Sequence, residues 1–404
     1  MRPQGRWLNT AIGASLPNRR SLDEKMKETL TLSSDQEVRD FVRGCTFYGT
    51  GGGGSPDYGY GILSRVLKEK RRIPLFDPDS IADDDWTVCA YGMGSIAPRT
   101  PEILEEMKRL SLTRVKVAYK LVEAIRELEK FAKVRVNVVV PLEIGGANTP
   151  DPVASAAHIG IKAVDGDYSG GRAIPEIIQT APHIAGKRMN PLSSVDEWGD
   201  RVLLEDSVNN LVAEKIGKLI SILAFGNLAG NATYLLKGSE MKKLVTPGTV
   251  SRAATAGRVI REAREGGREI ARDVVKSSGG YLLFQGTITK KDERDQDGYY
   301  WGSNEVKGTG EFSSHVFKYW FKNETHLSWL DGKLYATSPD IICTLNSRTG
   351  EPVTNPESKE GDQVSLMGYR SEDRFRSEEA LQVLGPRHFG VEADYVPLER
   401  VVQD

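Results

Sequence analysis

Apolar positions along this chain change their spacing twice, and those changes divide it. Ser34 and Glu37 have the spacing of a capping box, which predicts a helix that starts here and ends near Gly44. A short run, Cys45 to Tyr48, then meets the loop GTGGGGSP at 49–56, and Ile62, Leu63, Val66 and Leu67 recur at helical spacing over 57–70. Three further units repeat one theme of apolar run, Gly-rich loop and helical segment. TVCAY at 87–91 leads into GMGSIAP and a helix over 115–132; VRVNVVV at 134–140 leads into PLEIGGANTP and a helix over 152–159; IKAV at 161–164 leads into DGDYSGGR and the helical AIPEIIQT. Continuous Val/Ile runs suit strands buried on both faces, joined by parallel crossovers.

Residues 207–223 and 249–276 read as a helical layer, separated by the Gly/Asn-rich connection GNLAGNATY. From Gly280 onward the period becomes two: YLLFQGTIT, HVFKYWFKN, HLSWL, KLYAT, DIICTLN and QVSLMGY read as strands, and Asp331-Gly332 signals a tight hairpin. KKDERDQDG at 290–298 reads as a solvated loop. The expected fold class is α/β: an N-terminal parallel or mixed sheet with flanking helices, then a helical segment and a β-rich C-terminal domain. The expected divisions are a flexible arm over 1–34, an α/β domain over 35–206, helices over 207–278 and the β-rich domain over 279–404.

Charge narrows the partners. Lys and Arg total 54 against 56 for Asp and Glu, so a net charge of −2 offers nucleic acid or an anionic membrane no general attraction. No apolar run approaches the roughly 18 to 20 residues of a membrane span. Three widely spaced cysteines, Cys45, Cys89 and Cys343, suggest a reducing compartment, and the chain is read as cytoplasmic. Cys45 and Cys89 are expected in the core.

Loops that follow parallel strands gather at one sheet edge, where ligands bind. This edge should collect Glu143 and Asn148 from EIGGAN with Asp165, Asp167 and Arg172 from DGDYSGGR. Glu176 reads as a helical partner of Arg172. GTGGGG formally matches a dinucleotide fingerprint through Gly49, Gly51 and Gly54, with Asp77 after a second possible strand, RIPLF. A helix precedes it, however, so a dinucleotide-binding oxidoreductase stands as an alternative. Residues without Cβ also let a ligand approach the backbone, and their amides suit an oxyanion. None of the five histidines forms a zinc-binding pair at helical spacing; His183 follows the acidic loop, and His326 stands near Asn323 and Glu324. A Gly-x-Ser-x-Gly elbow is absent.

Taken in order, GTGGGG, GMGSIAP, PLEIGGAN, AVDGDYSGGRAIPE, FKNETHLSW and SPDII resemble the S-methyl thiohydantoin desulfurase family over residues 35–400. That resemblance implies an N-terminal α/β and a C-terminal β-rich domain, zinc-dependent chemistry, and removal of methanethiol from S-methyl thiohydantoin to leave hydantoin. It also implies an association with hydantoin and oxoproline ring-opening enzymes. The expected activity is a metal-dependent hydrolase of a five-membered cyclic imide or thioimidate. From the loop argument, Asp165, Asp167 and His183 are the expected ligands of zinc or another divalent metal. Glu143 is the expected general base, and Arg172 orients the acids. The amides of Gly51, Gly52, Gly53 and Gly54 hold an oxyanion, and Glu324 and His326 close over the site. The expected partners are a small cyclic substrate, further copies of this chain and a hydantoinase-type enzyme, which leaves a non-catalytic subunit of that enzyme as another alternative.

Overall fold

The computed structural model describes residues 27–94, 99–223, 225 and 229–403. Numbered along the chain, the strands of its first part are β1 (Glu28–Leu32), β2 (Ile73–Phe76), β3 (Trp86–Met93), β4 (Val138–Pro141), β5 (Lys162–Val164), β6 (Gly166–Asp167), β7 (Leu192–Val195), β8 (Arg201–Leu204), β9 (Ala229–Lys237) and β10 (Thr246–Pro247). Eight of them form one mixed sheet in the order β1-β2-β5-β4-β3-β9-β7-β8, and β6 pairs with β10. The expected parallel unit is its centre: β2 runs parallel to β5, β5 to β4, and β4 to β3. Val138, Val139 and Val140 are fully buried, as a strand covered on both faces requires.

The second part holds β11 (Tyr281–Gln296), β12 (Tyr299–Gly308), β13 (Val316–Lys322), β14 (Glu324–Leu330), β15 (Lys333–Thr337), β16 (Ile341–Asn346) and β17 (Gln363–Tyr369). They form one curled, all-antiparallel sheet in the order β15-β14-β13-β12-β11-β17-β16. Asp331 and Gly332 turn β14 into β15 with φ of 49° and 81°, the left-handed pair that a two-residue hairpin favours. Cys343 and Tyr369 of this sheet join the same apolar cluster as Phe47 and Tyr48 from the first part. Tyr369 meets the rings of Phe47 and Tyr48 edge-on at 5.8 and 5.4 Å.

Several elements differ from the sequence expectation. The first helix, Asp35–Tyr48, has its capping box at Ser34 and Glu37 but runs past Gly44. Gly44 marks a crossing: a Cβ there would lie 1.6 Å from the carbonyl oxygen of Ala253 in the helix Thr249–Glu265. The stretch read as one helix over 249–276 is two, Thr249–Glu265 and Ile270–Ser278, broken at Gly266 and Gly267. The helix placed over 115–132 starts at Lys120, and AIPEIIQT holds only a short turn of helix at Ile177–Gln179, with another, Ala181–Ile184, directly after it.

Three misreadings concern strands. The Gly/Asn-rich connection runs into β9, an interior strand antiparallel to β3, whose Gly230 lies against Lys120 and Leu121 at the start of the helix Lys120–Ala132. KKDERDQDG is the exposed end of the β11–β12 hairpin, turning at Asp297 and Gly298. Glu28–Leu32, inside the stretch set aside as an arm, pairs with β2 as an edge strand; residues 1–26 lie outside the described residues. Among the described residues no helix is long and apolar enough to cross a membrane.

Candidate active site

The Gly-rich loop is positioned by backbone bonds to both parts of the chain. Gly49 ends the first helix by donating to the carbonyl of Cys45 at 2.8 Å. The Thr50 carbonyl accepts from the amide of Thr325 (2.8 Å) and the Gly51 carbonyl from that of Asn355 (2.7 Å), both in the C-terminal part. On the other side, the Gly53 carbonyl accepts from Ala147 (2.9 Å) and Asn148 (3.1 Å). Gly53 has a φ of 73°, and a Cβ there would lie 2.4 Å from the Cα of Gly145. Because the loop follows a helix and is gripped on both sides, it lacks the strand–loop–helix context of a dinucleotide fingerprint.

Two carboxylates meet beside it. Glu143, just past β4, is 2 % exposed; its Oε1 accepts from Asn148 Nδ2 at 2.7 Å and its Oε2 from the Ile174 amide at 2.8 Å. Asn148 is fixed in turn to Gly92, at the end of β3, through both its amide atoms. Glu324 begins β14 after Asn323 reverses the chain with a φ of 57°. Its Oε1 accepts from the Gly53 amide at 3.1 Å, whereas its Oε2 is buried without a hydrogen-bond partner. Burial pushes Glu143 up to about 7 despite its two hydrogen bonds. Burial first, then the charge of Glu143, raises Glu324 well above the carboxylate range. The two acids therefore differ in proton affinity, with Glu324 the group that keeps its proton.

Both line one cleft, part of it open to solvent, together with Gly53, Gly54, Gly92 and Asn148. Gly51 and Gly52 stand behind the wall. A Cβ on Gly52 would lie 2.0 Å from Glu324 Oε1, so that glycine makes room for the acid. Residues 95–98 of the GMGSIAP motif lie outside the described residues.

Arg172 and His326 form the layer beneath. The guanidinium, 1 % exposed, donates to the Ala173 carbonyl, to Ser338 Oγ at 2.9 Å and to the Pro339 carbonyl at 3.1 Å. Its Nη2 lies 3.1 Å from His326 Nδ1. An arginine can only donate, so Nδ1 accepts and the ring's proton sits on Nε2. The His326 ring stacks on Phe389 at 4.1 Å, and burial, followed by the Arg172 charge, holds it neutral. Of the expected C-terminal pair, Glu324 reaches the cleft and His326 supports Arg172 behind it.

The three expected metal ligands are not gathered. Asp165 Oδ1 accepts from the Ser251 amide at 2.8 Å, in the first turn of the helix Thr249–Glu265. Asp167 Oδ1 organises its own loop by accepting from the amides of Ser169 and Gly171. His183 Nδ1 lies 2.8 Å from Asn210 Nδ2, away from the cleft wall. Among the described residues no group of three or more His, Cys, Asp or Glu side chains is arranged to hold a metal ion. The zinc expectation therefore finds no ligand set among the described residues, and Asp165 does the work of a helix cap. Replacing Asp165 by Ala is expected to lower stability by on the order of 1–2 kcal/mol in urea denaturation.

The cleft also contains groups that the sequence reading did not single out. Glu214 and Lys218, four residues apart on the helix Asn210–Leu223, face inward rather than to solvent. Burial raises Glu214 to about 7, and its Oε2 accepts from the Ile177 amide at 2.9 Å. Lys218 is 6 % exposed. Glu176 is no partner of Arg172: it pairs with Lys322 at 2.8 Å and His388 at 2.6 Å, which hold it down at about 2 against the opposing effect of burial. An i,i+4 Glu/Lys pair ordinarily reads as a solvated helix face; the apolar residues around it were the available signal.

The fold and cleft define a class: a mixed α/β sheet joined to a curled antiparallel sheet, with buried acids from both meeting at a Gly-rich loop. Residues 36–206 match the S-Me-THD-like N-terminal domain and residues 208–398 the S-Me-THD-like C-terminal domain, so the chain belongs to the S-Me-THD-like family. A crystal structure of a protein from Chromobacterium violaceum has this fold, with a TM-score of 0.71 at 21 % identity over 92 % of this chain and 100 % of that one. No curated protein matches the sequence.

Proposed function

We propose that this protein is a hydrolase of a five-membered cyclic imide or thioimidate, converting S-methyl thiohydantoin and water to hydantoin and methanethiol. The observation that carries the reading is the pair Glu143 and Glu324, both buried in the wall of one cleft, with their proton affinities pushed apart. The family name and the motif resemblance supply the substrate class.

Glu143, ionised, takes a proton from water as its oxygen bonds to the ring carbon that carries sulfur. Glu324, protonated, gives its proton to the adjacent ring nitrogen. The added hydroxyl then returns a proton to Glu324 as the carbonyl forms and the carbon–sulfur bond breaks. Glu143's proton leaves with the thiolate as methanethiol, restoring both acids.

Methanethiol release from S-methyl thiohydantoin tests the reading, and absence of both release and ring binding would sink it. Because Glu143 must be ionised and burial places it at about 7, kcat/KM is expected to fall as the pH drops below about 7. A profile with no acid limb in that region would remove Glu143 as the base. Zinc is settled on the same preparation: release that survives exhaustive chelation leaves the chemistry to the carboxylates, and loss restored by zinc returns the metal to the mechanism. Assembly with further copies or with a hydantoinase-type enzyme belongs to the same proposal, and sedimentation of the purified chain with and without that enzyme reads it directly.

A further inference from the structure

The cleft wall carries one cation among its described residues, Lys218, and its ammonium has poor company. Nζ donates to the Pro175 carbonyl at 3.4 Å and stands 3.7 Å from Glu214 Oε1, beyond hydrogen-bonding reach. The ring of Tyr299, from the tip of the β11–β12 hairpin, covers another side, with its centroid 3.7 Å from Nζ. An ammonium with three donors, removed from water and given two long contacts and a ring face, lacks the short oxygen contact that offsets its burial. A second unpaired group belongs to the same cleft: Glu324 Oε2, on a side chain 2 % exposed, has no hydrogen-bond partner. A donor and an acidic oxygen left open in one cleft describe a ligand that presents an oxygen to the first and a protonatable nitrogen to the second.

We propose that Lys218 contacts the substrate at the ring carbonyl oxygen that does not react, and so restricts the site to rings of the imide type. Such rings have two carbonyl-like carbons flanking one nitrogen. This deepens the hydrolase reading and rests on it. In that pose the reacting carbon's nitrogen faces Glu324, and the second carbonyl meets Lys218 across the ring. Negative charge that spreads onto this oxygen as water adds is held by the ammonium, an interaction that strengthens toward the transition state. Rings with a single carbonyl leave Lys218 without an acceptor and are rejected for that reason.

Binding is measured by calorimetry with hydantoin and with imidazolidin-2-one, a ring of the same size without the second carbonyl, on the wild type, Lys218→Met and Lys218→Arg. The wild type is expected to prefer hydantoin by about 10- to 100-fold, the range of a hydrogen bond to a charged group. Lys218→Met is expected to bind the two rings equally. It should also lower kcat for S-methyl thiohydantoin more than it raises KM, whereas Lys218→Arg keeps part of the preference. Methionine has similar length and no charge to bury, and a thermal melt confirms that the variant is folded. A folded Lys218→Met that retains the full preference overturns the assignment while leaving the hydrolase reading intact, as does a wild type that binds both rings alike. Lys218-dependent binding without methanethiol release does the reverse: it supports the contact and overturns the hydrolysis.

Discussion

Glu324→Gln is expected to fold, to become more stable than the wild type as the pH rises, and to lose turnover by about 10²- to 10⁴-fold. Glutamine keeps an oxygen for the Gly53 amide, 3.1 Å away, and places its amide nitrogen where Glu324 Oε2 has no partner. What disappears is the proton. In the folded protein, burial and then Glu143 hold Glu324 well above its ordinary value of 4.5, while the unfolded chain keeps that value. Between those two pKa values the folded state carries the extra proton. Glu324's contribution to stability is therefore full below 4.5 and is lost as the pH climbs toward the folded value. The variant has no such loss, so its advantage widens with pH. Urea denaturation across a pH series, run beside methanethiol release, measures both effects. Unchanged turnover would remove Glu324 from the chemistry, and a constant stability difference would show that it does not hold a proton.

Adjacent glycines are expected to fail in different ways. At Gly52 an added methyl meets Glu324 Oε1, the far end of a side chain that can swing aside. Gly52→Ala should thus displace the acid and lower turnover by about 100-fold or more with little change in stability. At Gly53 the methyl meets the Gly145 backbone, which cannot swing, and the φ of 73° is already hostile to any side chain. Gly53→Ala should therefore lower stability by on the order of 3 kcal/mol. Thermal melts and methanethiol release on both variants separate them. Equal loss of stability would mean that Glu324 is too rigid to yield.

What could be read from residue order alone follows from how local each signal is. The buried parallel core was legible because Val138 to Val140 leave little alternative to a doubly covered strand. The post-strand loops delivered Glu143 and Asn148 to the cleft for the same reason. β9 was not legible, because its small residues record what packs against them rather than a preference for extended backbone. Asp165, Asp167 and His183 have the chemistry of ligands, but their hydrogen bonds run to Ser251, to their own loop and to Asn210. Those partners are up to 86 positions away in sequence, so spacing alone could not foresee them. Lys218 was hidden by the opposite error: a pattern that usually means solvent was turned inward by helix packing against the sheet.

The acid pair also bears on how the chain is made. Glu143 emerges early from the ribosome, with β4, whereas Glu324 follows only after the first sheet and the helices behind it have been synthesised. Until then the Gly53 amide has no carboxylate to receive it, and the Thr50 and Gly51 carbonyls have no Thr325 or Asn355. A prematurely terminated chain thus holds only one of the two buried acids, and its first apolar cluster lacks Cys343 and Tyr369. On the proposed reading such truncated products lack the proton donor Glu324 and are expected to release no methanethiol.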